Sequence, residues 1–160
     1  MIGLDNSGKS TLFALLKDED NKNTNPTPGA PGATFTFSNF TINIYDLGGA
    51  RPIRDYCKFY YDNLNAIIYV VDTFDEGRYS ESKECLQEVL KDEKLNNLPL
   101  LIFCNKCDLK NSKSQLDKIK KKFDFIENSK RPWKFGLGSG LKGINIQENL
   151  LWIFKQIFQE

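Results

Sequence analysis

Gly3-Leu4-Asp5-Asn6-Ser7-Gly8-Lys9-Ser10 is the stretch on which the fold turns. Glycines at both ends of an eight-residue turn let a backbone wrap a polyphosphate with its N–H groups pointing inward. Lys9 can then reach the outer phosphates and the Ser10 hydroxyl can ligate Mg²⁺. The helix opened by Lys9, Ser10 and Thr11 adds the positive end of its dipole. Alone, this loop would suit kinases and ATPases equally, and its plainer reading is a tight surface turn. About a hundred residues later, Asn105-Lys106-Cys107-Asp108 closes an apolar run. An Asp108 carboxylate in a protein-lined site accepts two hydrogen bonds from the N1–H and exocyclic amine of guanine. Adenine lacks that donor pair, and a buried carboxylate left unpaired is costly. In this order and at this distance, the two motifs imply a site for a guanine nucleotide, GTP or GDP.

The rest of the composition bounds the answer. A chain of 160 residues makes one domain, residues 1–160, able to bury roughly two-thirds of its unfolded surface. The net charge of +1 gives no electrostatic case for nucleic acid. The densest basic run, Lys118-Ile119-Lys120-Lys121-Lys122, reads as a solvated helix face. Cys104 and Cys107 form a C-x-x-C, but there is no second pair and no histidine, which argues against a closed zinc site. Free thiols without a disulfide framework fit a reducing, cytoplasmic compartment. No apolar stretch reaches about 18 residues, and Ile2 excludes N-myristoylation of the chain as written.

Periodicity alternates between strand and helix. Thr11-Leu12-Phe13-Ala14-Leu15-Leu16 continues the helix after the loop, and residues 18–33, rich in Asn, Pro and Gly, read as a mobile loop. Thr34 to Phe37 and Phe40 to Tyr45 alternate as an antiparallel hairpin should. The runs 66–71 and 98–103 are continuously apolar, the mark of strands covered on both faces. Helices are expected over 78–91, 113–122 and 146–158, with a short last strand at Trp133-Lys134-Phe135. Parallel strands alternating with helices predict an α/β fold, a mostly parallel sheet with helices on both faces. One absence is conspicuous: only Met1 and Ile2 precede Gly3, where a strand of five or so residues is expected to feed the loop. The first strand is therefore expected to be truncated, leaving its two neighbours short of a hydrogen-bonding partner.

Asp46-Leu47-Gly48-Gly49 follows the hairpin. Asp46 can hold Mg²⁺ through a water, and Gly49 lets a backbone N–H approach a terminal phosphate. In Pro26-Thr27-Pro28, Thr27 offers a further Mg²⁺ ligand, with Thr24 and Thr34 as lesser candidates. Two segments that touch one phosphate and its metal loosen together when it leaves, which makes a switch.

These segments resemble the Ras-like small GTPases, and within them the ADP-ribosylation-factor and Arf-like family, over essentially all 160 residues. The phosphate loop with its Asp5, Pro26-Thr27, the hairpin, Asp46-Leu47-Gly48-Gly49, Val70-Val71-Asp72 and Asn105-Lys106-Cys107-Asp108 fall at Arf-like distances. The resemblance implies a P-loop NTPase fold and a Mg²⁺-dependent nucleotide switch. It implies that Asn105 braces the phosphate loop and the purine edge while the Lys106 stem covers the base. Ser139 and Gly140 stand where the family's last base-contacting loop falls. With Gly140 for the usual alanine, the loop is expected to keep an N–H for the guanine carbonyl but to loosen. Exchange factors, GTPase-activating proteins and effectors are the implied partners, with membrane association through an N-terminal segment that this chain does not include.

Ala50 follows Gly49 where hydrolysing members carry a glutamine that orients the attacking water, so intrinsic hydrolysis is expected to be very slow or partner-dependent. Arg51 and Arg54 read as surface cations rather than catalytic ones. The Pro/Gly-rich stretch Pro28 to Gly32 departs from the family and bears on the placement of Thr27. Ile53-Arg54 and Lys58-Phe59-Tyr60-Tyr61 are similar to the ciliary Arf-like thirteen branch, which would place the protein at endomembranes or the ciliary membrane. Tyr56, Phe59, Tyr60 and Tyr61 divide between core and effector surface, and Trp133 and Trp152 read as core. Three rivals stand beside this reading: an efficiently hydrolysing regulatory GTPase, an ATP-using phosphate-loop protein, and a fragment that binds nothing.

Overall fold

A computed structural model describes residues 1–18, 32–37, 40–45, 58–109 and 112–158. Six strands and four helices occur among them: β1 (Ile2–Gly3), α1 (Lys9–Asp18), β2 (Gly32–Phe37), β3 (Phe40–Tyr45), β4 (Ile67–Asp72), α2 (Tyr79–Val89), β5 (Leu100–Asn105), α3 (Ser112–Lys122), β6 (Trp133–Leu137) and α4 (Ile146–Phe158). The continuous apolar runs do form the central strands. β4 and β5 pair in parallel from Ile67↔Leu100 to Asp72↔Asn105, and β5 pairs in parallel with β6 from Leu100↔Trp133 to Cys104↔Leu137. The sheet order is β1-β4-β5-β6, and β2-β3 is a separate antiparallel hairpin in register from Gly32↔Tyr45 to Phe37↔Phe40.

Period-two alternation along β4 and β5 builds a core on each face of the sheet. Tyr69, Val71, Leu100, Ile102 and Cys104 point to one side, where Leu86 of α2 and Ile119 of α3 cover them. Val70, Leu101 and Phe103 point to the other, under Leu12 of α1 and Ile146, Leu150 and Ile153 of α4. The helices bury one stripe each: Tyr79, Ser82, Cys85, Leu86 and Val89 in α2, and Ile146, Asn149, Leu150 and Ile153 in α4. That three-four spacing is what a 3.6-residue turn requires of a helix with one covered face. Tyr69 spans both kinds of interaction. Its ring is fully buried and its hydroxyl donates to the Ser82 carbonyl at 2.8 Å, tying β4 to α2.

β1 leads directly into the turn that precedes α1. Two residues pair with β4, Ile2↔Tyr69 and Gly3↔Val70, and the hairpin is not laddered to them. The connection on that side is the Met1 amino group, which donates to the Tyr45 carbonyl at 2.7 Å. Between β3 and the start of β4 lies a cavity of about 290 Å³ lined by Ile42, Ile44, Ile67, Ile68, Ile153 and Phe154 among others.

The aromatics divide as follows. Tyr61 is 4% exposed and part of the core, and Tyr60 packs on it while stacking at 5.3 Å against Tyr45. Trp133 meets Phe135 edge-on at 5.6 Å and Trp152 packs on the second cluster, both as core residues. Tyr56 and the Phe59 side chain lie outside the described residues, as does most of the 18–33 loop.

Candidate functional site

Every described loop of the predicted site converges on Asn105. It is the last residue of β5, 2% exposed, because a fully buried parallel strand delivers it there. Its Nδ2 donates to the Ser7 carbonyl at 2.9 Å, and its Oδ1 accepts the Gly140 N–H at 2.9 Å. Its own carbonyl accepts the Thr73 hydroxyl at 2.8 Å. One amide side chain thus joins the phosphate loop, the clamp loop and the loop after β6. Each such bond contributes about 0.5–1.5 kcal/mol net, and more is lost if a buried partner is orphaned.

The turn that brings Gly8 to this point admits no side chain. Gly8 has φ +87°, and a Cβ there would sit 2.3 Å from Asn105 Nδ2. Asn6 and Lys106 also adopt left-handed backbone, at φ 59° and 69°. Such residues cost free energy unless their surroundings hold them. The holding contact is mutual: Lys106 Nζ donates to the Asn6 carbonyl at 3.0 Å and to Asp72 Oδ2 at 2.5 Å. Asp72 in turn caps its own turn by accepting the Phe74 N–H at 2.9 Å.

Lys9 is 6% exposed and its ammonium donates to the Leu4 carbonyl at 2.7 Å, across the mouth of the loop that precedes it. Ser7 Oγ is buried without a hydrogen-bond partner, an orphaned polar atom in the wall of the cradle. These features fit a loop shaped around an anion. Ser10 and Thr11 are exposed in the first turn of α1. Asp5 lies on the outer rim of the loop, where Arg78 Nη1 donates to its carboxylate at 3.0 Å and Nη2 to its carbonyl at 3.1 Å. Hydrogen bonding to Asp75 raises the Arg78 guanidinium above its ordinary value.

At the base end, Gly138 N–H donates to the Cys104 carbonyl and Cys107 N–H to the Gly138 carbonyl, both at 3.0 Å. Asp108 stands exposed on the turn so formed. Ser139 is fully buried and its hydroxyl accepts the Lys142 N–H at 3.1 Å. The Gly140 N–H donates to Asn105 Oδ1 at 2.9 Å. A Cβ added there would lie 3.0 Å from Leu12 Cα, so α1 is pressed against it. Burial pushes the Cys104 thiol up to about 12 and raises Cys107 as well, which leaves both protonated near neutrality. Among the described residues, no group of three metal-ligating side chains occurs. Of the three proposed Mg²⁺ ligands, Ser10 is described and Thr27 and Asp46 lie outside the described residues, as do Gly49 and Ala50. Hydroxyl and carboxylate oxygens are the donor set a hard cation requires.

Gly3, Asp5, Asn6, Ser7, Gly8, Lys9, Asn105, Lys106, Ser139 and Gly140 therefore share one continuous network, with Asp108 at its rim. Arg78 and Thr73 belong to the same network and were not singled out by the sequence. Neither sits in a recognisable pattern, and Arg78 is 73 residues from its partner Asp5.

Known proteins resemble this chain over nearly its whole length. The family profile described as "ADP-ribosylation factor family" matches residues 1–157. The chain is 37% identical over 157 residues to ADP-ribosylation factor-like protein 3 of Chlamydomonas reinhardtii, covering 98% of this chain and 88% of that protein. It is 34% identical over 160 residues to ADP-ribosylation factor-like protein 1 of Saccharomyces cerevisiae, covering 100% and 87%. Among solved structures, the Arl6 BBS3 small GTPase from Trypanosoma brucei, with bound nucleotide analogue GppNp, superimposes with a TM-score of 0.84. That match has 29% identity and covers 99% of this chain and 95% of that one. No helix among the described residues is long and apolar enough to cross a membrane. The chain belongs to the ADP-ribosylation factor family, as an Arf-like small GTPase of the Ras superfamily.

Proposed function

We propose that the protein is a Mg²⁺-dependent guanine-nucleotide switch whose GTP form binds effectors and whose intrinsic hydrolysis is very slow. The observation that carries this reading is the Asn105 junction, which ties the phosphate loop to the base clamp at 2.9 Å on either side. In it, the phosphate-loop amides and Lys9 bind the polyphosphate and Asp108 accepts the two guanine donors. The Lys106 stem covers the base, and Ser139 and Gly140 shape the pocket beneath it. Mg²⁺, held by Ser10 with Thr27 and Asp46, neutralises phosphate charge when bound. The segments around Thr27 and from Asp46 to Arg54 change with the terminal phosphate, and exchange factors, activating proteins and effectors read that change. A cytoplasmic location, peripheral to membranes, follows from the same reading.

Two measurements test it. GDP and GTP should bind with Mg²⁺ in competition with ADP, and Asp108→Asn should shift preference toward xanthine nucleotides, whose base presents the complementary pattern. Indifference of the parent chain to millimolar GDP and GTP would overturn the reading. For hydrolysis, the methyl group of Ala50 neither donates to nor accepts from an attacking water. Ala50→Gln should therefore raise the single-turnover rate by about a hundredfold or more, the range that a well-positioned polar group contributes. Equal rates would favour the second reading, an efficiently hydrolysing regulatory GTPase completed by a partner.

A further inference from the structure

The phosphate loop contains an acidic residue, which is an odd component for an anion cradle. Asp5 puts a negative charge within a loop whose backbone amides and lysine are arranged for phosphate, and like charges in one site repel. The structure answers that charge from outside. Arg78, at the end of the short 3₁₀ turn Glu76–Arg78 that leads into α2, lays its guanidinium fork over Asp5. Nη1 takes the carboxylate at 3.0 Å and Nη2 the main-chain carbonyl at 3.1 Å, while Nε is held by Asp75 Oδ2 at 2.5 Å.

The second contact does more than neutralise. In a trans peptide the C=O of one residue and the N–H of the next point in opposite directions. A carbonyl of Asp5 pinned toward Arg78 therefore aims the Asn6 N–H to the other side of the loop. One peptide later Lys106 holds the Asn6 carbonyl at 3.0 Å, opposite the Ser7 N–H, which donates to the Leu4 carbonyl at 3.4 Å. The left-handed Asn6, φ 59°, lies between these two cations. Alternating backbone of this kind, with its carbonyls held outward, forms a concave set of N–H groups that suits an anion.

Resting on the guanine-nucleotide reading above, we propose that Arg78 is a positioning residue that sets the preference for triphosphate over diphosphate. It draws the Asp5 carboxylate away from the terminal phosphate and turns the Asn6 N–H toward the phosphate chain. A diphosphate carries less charge near Asp5 and depends less on this arrangement.

The test compares affinities for GDP and a non-hydrolysable GTP analogue, with Mg²⁺, in the full chain and in Arg78→Ala, Arg78→Lys and the double variant Asp5→Asn/Arg78→Ala. Arg78→Ala should weaken the analogue relative to GDP by about fivefold, the upper end of what a solvent-exposed ion pair supplies. Arg78→Lys keeps the charge but not the fork and should fall between. Removing the Asp5 charge in the double variant should bring the ratio back toward the parent. Arg78 and Asp5 have partly exposed side chains, 31% and 70%, so the variants are expected to fold, and a thermal melt checks it. Equal weakening of both nucleotides in Arg78→Ala, or no recovery in the double variant, overturns the proposal while the nucleotide reading stands. A parent chain that binds neither nucleotide overturns both.

Discussion

β1 and β5 each deliver one half of the site, and they are built very differently. β5 has six residues, all buried, with a parallel neighbour on each side, and it ends at Asn105. β1 has two residues with β4 as its parallel partner, and the Met1 amine as its link to the hairpin. β1 feeds the phosphate loop, and that loop is also held from the far side, by Asn105 on the Ser7 carbonyl, Lys106 on the Asn6 carbonyl and Arg78 on Asp5. The phosphate loop is thus tied to the base half by Asn105 and Lys106, and to the turn after β4 by Arg78.

Removing the principal brace should break this dependence most visibly. Asn105→Ala deletes two buried hydrogen bonds and strands the Ser7 carbonyl and the Gly140 N–H. It should cost about 2–4 kcal/mol of folding stability, read by chemical denaturation. A loss below about 1 kcal/mol would mean that β1 secures its loop unaided. The Arg78 experiment probes the same dependence from the outer rim, with a smaller effect on affinity ratio.

A gentler test uses the thiol buried on β5. Burial pushes Cys104 up to about 12 from an ordinary value of 9.0. Below pH 9 the thiol is neutral both folded and unfolded, and it adds no pH dependence. Between 9 and 12 the unfolded chain releases the proton and the folded one does not, so stability falls as pH rises. The stability difference between the parent and Cys104→Ala should shrink by about 1–1.5 kcal/mol from about pH 8 to about pH 10. A constant difference would show that water reaches β5 and that the two strands are less unlike than described.

Much of this was legible in the sequence because the relevant physics is local. Uninterrupted apolar runs identify β4 and β5, period-two alternation the β2–β3 hairpin, and glycines at fixed spacing the phosphate loop. Boundaries moved where neighbours decide them. The second run, read at 98–103, forms a strand at Leu100–Asn105, because its ladders with β4 and β6 both begin at Leu100 and the β4 ladder runs on to Asn105. At Gly140 the structure shows a contact that the sequence does not carry. From sequence, a glycine signals freedom, whereas here it marks the close approach of α1 at Leu12. Arg78 was invisible because a link across 73 residues leaves no local signature. Thr27, Asp46, Gly49 and Ala50 lie outside the described residues, so their reading rests on motif and family resemblance.

One consequence follows from the position of Lys9. Its ammonium is already withdrawn from water and satisfied by the Leu4 carbonyl at 2.7 Å. The dehydration penalty for that charge falls on chain folding, not on ligand capture. An arriving phosphate exchanges that carbonyl oxygen for a stronger, charged acceptor. The lysine acts as a tethered understudy, keeping the loop in its working shape until the guest takes over.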